Sequence, residues 1–212
     1  MYNGANLTLR KRASQGIDLY ATYTWSHAID DAPEQNNIDS GNFLPADPTN
    51  RRIERGDSLT DKRHVFNLTG VFFPEFKSAS RTANYLANHN RLSVSIVAAT
   101  GDVFNMGSNQ VLNKDNATAS TFQRPLFIGR DTLRGPGQFE MNARYSRLFP
   151  IQESKQLEFI AETTNLTNRL NVTGINSTAT VDASGNITAA PTLAPTGSRD
   201  QRLLQLGVRF TW

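Results

Sequence analysis

A two-residue alternation of apolar and polar side chains constrains this chain more than any other feature. It is clearest in the last ten residues, LLQLGVRFTW, where every second position is apolar: Leu204, Leu206, Val208, Phe210 and Trp212. Because successive side chains of a β-strand point to opposite faces, this segment predicts a strand with one wholly apolar face. A membrane barrel needs such strands, with lipid outside, a polar lumen inside and aromatic residues at the interface.

The same alternation recurs in six earlier segments. They predict strands ending near residue 13 and spanning about 17–29, 61–73, 91–104, 139–149 and 155–168. Ser14-Gln15-Gly16 predicts a tight turn, since glycine readily adopts a positive φ. A short helix is expected near Ala83–Ala87.

The connections between these strands alternate in length. Long polar segments occupy about residues 30–60, 105–137 and 169–200, the last with a predicted tip at Asp182–Asn186. The other connections are short or moderate. Outer-membrane barrels combine long extracellular loops with short periplasmic turns. The sequence therefore predicts an all-β, antiparallel up-and-down transmembrane barrel in a bacterial outer membrane. Outer-membrane lipid is the first of its expected partners.

The number of predicted strands, about seven, suggests an incomplete barrel. Bacterial single-chain barrels use an even number of strands, from about eight upward. An open edge in hydrocarbon leaves backbone groups unpaired at several kcal/mol each. We therefore expect a partial barrel, unless Phe122–Ile128 supplies an eighth strand.

Composition narrows the functional classes. The 22 basic and 19 acidic residues are scattered, which argues against nucleic-acid binding. The absence of cysteine excludes disulfides, thiolate metal sites and cysteine nucleophiles. No apolar run approaches the ~18 residues that a membrane helix needs.

The sequence predicts no catalytic, cofactor or metal residues. The histidines His27, His64 and His89 are widely spaced, and no G-x-S-x-G nucleophile elbow occurs. We expect His27 and His64 near the outer rim, because both adjoin the first long loop. Its acidic residues, including Asp30, Asp31, Asp39 and Asp47, predict a solvated loop rather than a calcium site, since the EF-hand spacing is absent.

The predicted functional surface is the lipid-facing wall. Aromatic residues at strand ends are expected to form interfacial girdles. The predicted membrane-facing residues are Tyr23, Trp25, Phe72, Leu204, Leu206, Val208, Phe210 and Trp212. A soluble β-sandwich is the alternative, because its core uses the same alternation.

Four internal segments carry distinctive motifs: YATYTWSHAIDD (20–31), RGDSLTDKRHVFNLTGVFFP (55–74), GRDTLRGPGQFEMNARYSRLFPI (129–151) and AETTNLTNRLN (161–171). Together with the closing strand they resemble the C-terminal barrel region of bacterial TonB-dependent receptors, most closely the Oar-like group. Their order and spacing cover nearly the whole chain. The closing alternation, which ends in Trp212, resembles the family's outer-membrane assembly signal.

This resemblance implies that residues 1–212 are the C-terminal part of a larger plugged barrel that takes up a ligand with energy from an inner-membrane complex. The N-terminal strands, the plug domain and the segment that contacts the TonB complex would lie outside this sequence. Barrel assembly machinery and an unidentified ligand are the other expected partners. We expect no enzymatic activity. A complete small adhesin-like barrel and a soluble sandwich binding module remain the alternatives.

Overall fold

The computed structural model describes residues 1–31, 50–110, 124–125, 128–152 and 155–212. The α-helix α1 spans Arg81–Ala87, and a short 3-10 helix spans Arg51–Glu54. No helix in these ranges is long and apolar enough to cross a membrane. In chain order the described strands are β1 (Tyr2–Ser14), β2 (Ile17–Asp30), β3 (Gly56–Asp57), β4 (His64–Phe72), β5 (Asn90–Ala99), β6 (Val103–Phe104), β7 (Gly107–Ser108), β8 (Leu133–Arg134), β9 (Gln138–Gln152), β10 (Lys155–Thr164), β11 (Val172–Ile175), β12 (Thr178–Val181), β13 (Ile187–Ala189), β14 (Pro195–Ser198) and β15 (Leu203–Thr211).

One large sheet forms the wall. Its strands follow the order β1-β2-β4-β5-β9-β10-β15, and the short β3 pairs with β2 beside this path. Every neighbouring pair of wall strands is antiparallel. Within the described residues the sheet is open, because neither β1 nor β15 has a partner on its outer side. The prediction of an up-and-down antiparallel sheet with about seven wall strands, forming a partial barrel, is confirmed.

The pairing register joins the apolar faces of the separate strands into one surface. Tyr23 lies opposite Leu7 on one side and opposite Phe66 on the other. Across the sheet, Leu206 lies opposite Ala161, which in turn lies opposite Tyr145. Directly paired residues project from the same face, and a slip of one residue would invert a whole strand. The wall therefore has one continuous apolar face and one mostly polar face.

The connections confirm the predicted asymmetry between the two ends of the wall. β1 and β2 meet at a two-residue turn, where Gln15 and Gly16 both have positive φ, of 54° and 74°. Both residues of a type I′ hairpin turn require that backbone conformation. The connection containing α1 lies at the same end as this turn. The three long connections leave the wall at the opposite end, after β2, β5 and β10.

The buried apolar core lies among the long connections and not against the wall. Its residues are Val103, Val172, Ile175, Ala179 and Val181. Three small sheets frame this core: β6 with β8, β7 with β12 and β13, and β11 with β14. The predicted tip at 182–186 closes the β12–β13 hairpin. β6 lies within the strand predicted at 91–104. The other short strands were not predicted, because their two to four residues carry too little alternation to show a period.

Four strand boundaries differ from the predicted ones by three residues or more. β10 ends at Thr164 and not near residue 168, because Asn165 has a left-handed φ of 46°. β4 begins at His64 because residues 61–63 are drawn into ion pairs, and β5 ends at Ala99 because Gly101 packs against the backbone of Gly135. β9 continues past Pro150 to Gln152. The ladder between β5 and β9 ends at the pair of Asn90 with Arg147. Beyond this pair β9 has no β5 residue to hydrogen-bond, so a proline, which lacks the amide hydrogen, is tolerated there.

Two predictions lie outside the described residues. Most of the candidate eighth strand, Phe122–Ile128, falls there, and so do Asp39 and Asp47. The described positions 124, 125 and 128 within that segment are not part of a strand.

Substituting Gly101 tests the close approach that ends β5. A methyl group at this position would overlap the Gly135 carbonyl oxygen and lie 2.6 Å from the Pro136 oxygen. Overpacking of this kind costs about 1–3 kcal/mol, so Gly101→Ala should lower the free energy of unfolding in a urea titration by that amount. Gly107→Ala is the matched control, because its methyl group would meet only the Thr178 hydroxyl at 3.9 Å. Equal stability of the two variants would contradict the packing described here.

Candidate functional site

The predicted membrane-facing residues of the strands all lie on the apolar face of the wall. Leu204, Leu206, Val208 and Phe210 follow one side of β15 and lie opposite Thr163, Ala161, Phe159 and Leu157 of β10. These side chains are not covered by other parts of the described chain: Leu206 is 76% exposed and Phe159 is 47% exposed. The arrangement is suited to burial in lipid, and lipid contact by these residues stays a prediction.

Aromatic residues mark both ends of the apolar face. Near the long loops, Trp25 lies opposite His64, and the Tyr23 hydroxyl is 2.7 Å from His64 Nδ1. Near the short turns, Phe72 lies opposite Ile17, and the rings of Phe210 and Trp212 stack with centroids 6.1 Å apart. Such an amphipathic pair of girdles is typical of strands that cross a bilayer.

A cluster of carboxylate, arginine and histidine side chains, here called the rim network, lies where the long loops leave the wall. It consists of His27, Asp57, Asp61, Arg63 and Arg134. The Asp61 side chain is fully buried and accepts hydrogen bonds from Arg134 Nη2 at 2.6 Å, Arg63 Nε at 2.9 Å and the Ala28 amide at 2.8 Å. A buried carboxylate with this many donors is fully compensated for its lost hydration.

Asp57 is the second anionic centre of the rim network. Its Oδ2 lies 3.0 Å from Nη2 of both Arg63 and Arg134, and its Oδ1 lies 3.1 Å from His27 Nε2. His27 Nε2 also lies 2.8 Å from Arg63 Nη2. The network therefore ties the end of β2, the short strand β3, the entry to β4 and β8 to one another.

Hydrogen bonding keeps both rim carboxylates ionised. Burial raises the pKa of Asp57, but hydrogen bonds from His27 and Arg63 outweigh it and bring the pKa below its ordinary 3.8. Burial likewise raises the pKa of Asp61, and hydrogen bonds from the Ala28 amide, Arg134 and Arg63 together lower it below 3.8. The hydrogen bond to Asp61 raises the pKa of Arg63 above its ordinary value.

The rim network unites three of the segments that carry the family resemblance. His27 comes from the segment at 20–31, Asp57 and Asp61 from that at 55–74, and Arg134 from that at 129–151. The structure places His27 and His64 at the loop end of the wall, as expected. Apart from their positions next to strand ends, nothing in the sequence indicates that these residues meet.

A second buried ion pair lies beside the rim network and corrects one prediction. Arg124 Nη2 is 2.7 Å from Glu54 Oε1, and Arg130 Nε donates to the Glu54 carbonyl oxygen at 2.9 Å. Arg130 also forms an ion pair with Asp30. Asp30 was predicted to belong to a solvated acidic loop and instead ends β2 with an arginine partner.

Two buried asparagines organise the loop that follows β10. Asn165, in the left-handed region with φ 46°, donates to the carbonyl oxygens of Arg169 and Asp200. The Asn171 side chain donates to the Phe139 carbonyl oxygen and accepts from the Phe139 amide at 2.9 and 2.8 Å, as a neighbouring strand would. Asn165 belongs to the Glu-x-x-Asn-Leu-x-Asn pattern at 162–168, and Asn171 follows three residues after it, so these contacts give a structural role to the segment at 161–171.

The polar face carries cross-strand ion pairs suited to a hydrated lumen. Arg209 pairs with Glu158 at 3.4 Å and Arg144 with Glu162 at 3.7 Å. An open polar cavity of about 370 Å³ lies near the loop end of this face, lined by Glu140, Thr164, Asn165, Arg199 and Asp200. Among the described residues, no group of histidine and carboxylate side chains is arranged to hold a metal ion.

A family model described as "Outer membrane beta barrel domain" matches residues 1–131. The match covers 131 of 212 residues and includes β1, β2, β4 and β5 of the wall. It also includes His27, Asp57, Asp61 and Arg63 of the rim network, while Arg134 lies just beyond it. No curated protein and no solved structure matches the chain.

Acidification should loosen the rim network. Because the pKa values of Asp57 and Asp61 are lowered by folding, their stabilising contribution is complete above about pH 3.8 and is lost as the pH falls through the lower folded values. We expect amide hydrogen exchange in residues 56–64, corrected for its intrinsic pH dependence, to accelerate below about pH 3.8.

The double variant Asp57→Asn/Asp61→Asn should show fast exchange in the same residues already at neutral pH, because two arginines lose their ionic partners. Asp18→Asn is the matched control, since Asp18 is exposed on β2 at the opposite end of the wall. A double variant that exchanges as slowly as the wild type would show that the network does not hold the rim together.

Proposed function

The chain belongs to the outer membrane beta barrel domain family, and on that premise we propose that its sheet is one part of the wall of a larger TonB-dependent receptor of the Oar-like type. It is an outer-membrane protein with an antiparallel β-sheet wall. In the proposed role the wall encloses a polar passage, and the long loops contribute contacts to a ligand that the receptor takes up.

The direction of the two outermost wall strands carries this proposal. β1 runs from the long-loop end to the short turn at Ser14, and β15 also runs from the long-loop end, at Leu203, to the short-turn end. Direct pairing of β1 with β15 would therefore be parallel, whereas all the wall ladders are antiparallel. Antiparallel closure requires an odd number of additional strands. Closure is needed because unpaired backbone groups in hydrocarbon cost several kcal/mol each.

The alternatives receive less support. A β-sandwich would bury the apolar faces of its strands against a second sheet, but the buried apolar residues in the described part of the chain lie in the long connections. A complete small barrel would need one further strand from 122–128. Within that segment, the described Arg124 is buried against Glu54 instead of pairing with β1 or β15.

The two faces of the wall suggest how the receptor would work. Ion pairs such as Arg209–Glu158 and Arg144–Glu162 would line the lumen and face the plug domain or the transit path. The resemblance supplies the remaining partners: the other barrel strands, the plug, the TonB complex that acts through them, and the assembly machinery that recognises the strand ending in Trp212. Binding and transport require no chemical step from these residues, and we propose no enzymatic activity.

Refolding this chain alone in detergent tests whether the wall is part of a larger barrel. Closed outer-membrane barrels resist sodium dodecyl sulfate until boiled, whereas an open sheet has free edges that detergent can unravel. We expect the unboiled and boiled samples to migrate alike on a gel. A compact monomeric band that shifts only on boiling would mean that the chain closes a barrel by itself and would contradict the proposal. A chain that folds as a soluble monomer without detergent would contradict its membrane location as well.

A further inference from the structure

We propose that the connection between β4 and β5, residues 73–89, is an interfacial anchor that binds the phospholipid headgroup layer at the short-turn end of the wall. This inference rests on the proposed membrane function. It concerns a segment outside the strands, which the barrel wall itself does not require.

The connection is a folded unit held together by its own side chains. The Ser80 hydroxyl accepts a hydrogen bond from the Ala83 amide and caps α1. The Asn84 side chain bonds both the amide and the carbonyl of Ser78, at 2.6 and 2.8 Å, and the Asn88 side chain does the same to Phe76, at 2.6 and 2.9 Å. Each asparagine side chain hydrogen-bonds both backbone groups of one residue, as a neighbouring strand would. These hydrogen bonds hold the backbone of the connection in place without an apolar core.

This fixed backbone presents apolar side chains outward. None of the α1 residues is buried; Tyr85 is 47% exposed, Leu86 59%, and the neighbouring Phe76 54%. A soluble protein gains nothing from holding such residues in water. At a bilayer surface the same residues are stabilised, because an amphipathic tyrosine and a leucine suit the boundary between headgroups and acyl chains.

Arg147 places α1 beside the lipid-facing side of the wall. Arg147 lies opposite Phe159, on the apolar face, and its two terminal nitrogens donate to the Leu86 and Tyr85 carbonyl oxygens at 2.8 and 3.0 Å. Its guanidinium also lies over the rings of Tyr85 and Phe149, 5.9 and 5.0 Å from their centroids. The carboxyl end of the helix is thus bound to the outside of β9.

The groups around this junction show where the apolar band ends. The Tyr145 hydroxyl, on the apolar face, donates to Asn90 Oδ1 at 2.6 Å, and Arg147 donates to the same oxygen at 3.1 Å. Polar groups on a lipid-facing surface mark the level of the interface. The exposed side chains of α1 therefore continue the apolar face at the depth where headgroups begin.

The charge of the connection complements lipid phosphates. Residues 73–89 contain two basic side chains, Lys77 and Arg81, and one acidic side chain, Glu75, which gives a net charge of 2 − 1 = +1. Basic residues around exposed tyrosine and leucine are typical of segments that lie in a membrane interface. Their positive charge is attracted to the phosphate groups of lipid headgroups.

Single-cysteine labelling tests the anchor, since the sequence contains no cysteine of its own. Three variants are needed: Tyr85→Cys on α1, Leu206→Cys on the wall and Ser184→Cys at the exposed tip of the β12–β13 hairpin. Each is labelled with an environment-sensitive fluorophore in outer-membrane vesicles from cells that express the protein. Phosphatidylethanolamine and phosphatidylglycerol carrying a nitroxide near the headgroup or near the acyl-chain end are then added as quenchers.

We expect the label at position 85 to be quenched about twofold or more by the headgroup-level nitroxide relative to the chain-end nitroxide, because interfacial segments sit only about 5–10 Å deep. The label at 206 should respond more to the chain-end nitroxide, and the label at 184 to neither. A label at 85 that behaves like the one at 184, while 206 is quenched, would overturn the anchor and leave the wall intact. Absence of quenching at 206 as well would count against the membrane function on which the anchor rests.

Discussion

Backbone hydrogen bonding in hydrocarbon is the constraint on which the whole structure depends. No water is available there, so each amide and carbonyl must find a protein partner. The antiparallel ladders of the wall satisfy this need strand by strand, and their register fixes which side chains face outward. Among the described residues, these ladders produce one apolar face, one polar face and two edge strands without an outer partner.

The two ends of the wall are finished by different physical means. At the short-turn end, a two-residue turn and a self-braced helical connection return the chain with little extra length. At the loop end, long connections must be held in place without a large core. Buried carboxylates such as Asp61 hold these connections in place by pairing with arginines. Such a buried pair is strong because water does not compete for its hydrogen bonds. Binding surfaces formed by the loops would inherit their shape from these charges.

The wall could be predicted from the sequence because its signals are local. The rim network could not, because its contacts join residues that are far apart in the sequence. The alternation in β15 and the turn at Gln15-Gly16 are local signals, because neighbouring residues decide them. The hydrogen bond from Arg134 to Asp61 joins residues 73 positions apart, and no periodic pattern in the sequence predicts it. The start of β4 was mispredicted for the same reason: Asp61 and Lys62 form ion pairs with Arg134 and Asp102, which come from distant segments.

A nitroxide scan along β15 in outer-membrane vesicles tests most directly whether this sheet faces lipid as its register indicates. Single cysteines at positions 203–210, each carrying a spin label, report accessibility to oxygen, which concentrates in lipid, and to a water-soluble nickel complex. Oxygen accessibility should peak at Leu204, Leu206, Val208 and Phe210 and fall at Gln205, Gly207 and Arg209, since these groups alternate along the strand. A flat profile, or one with the two sets exchanged, would contradict the lipid-facing wall.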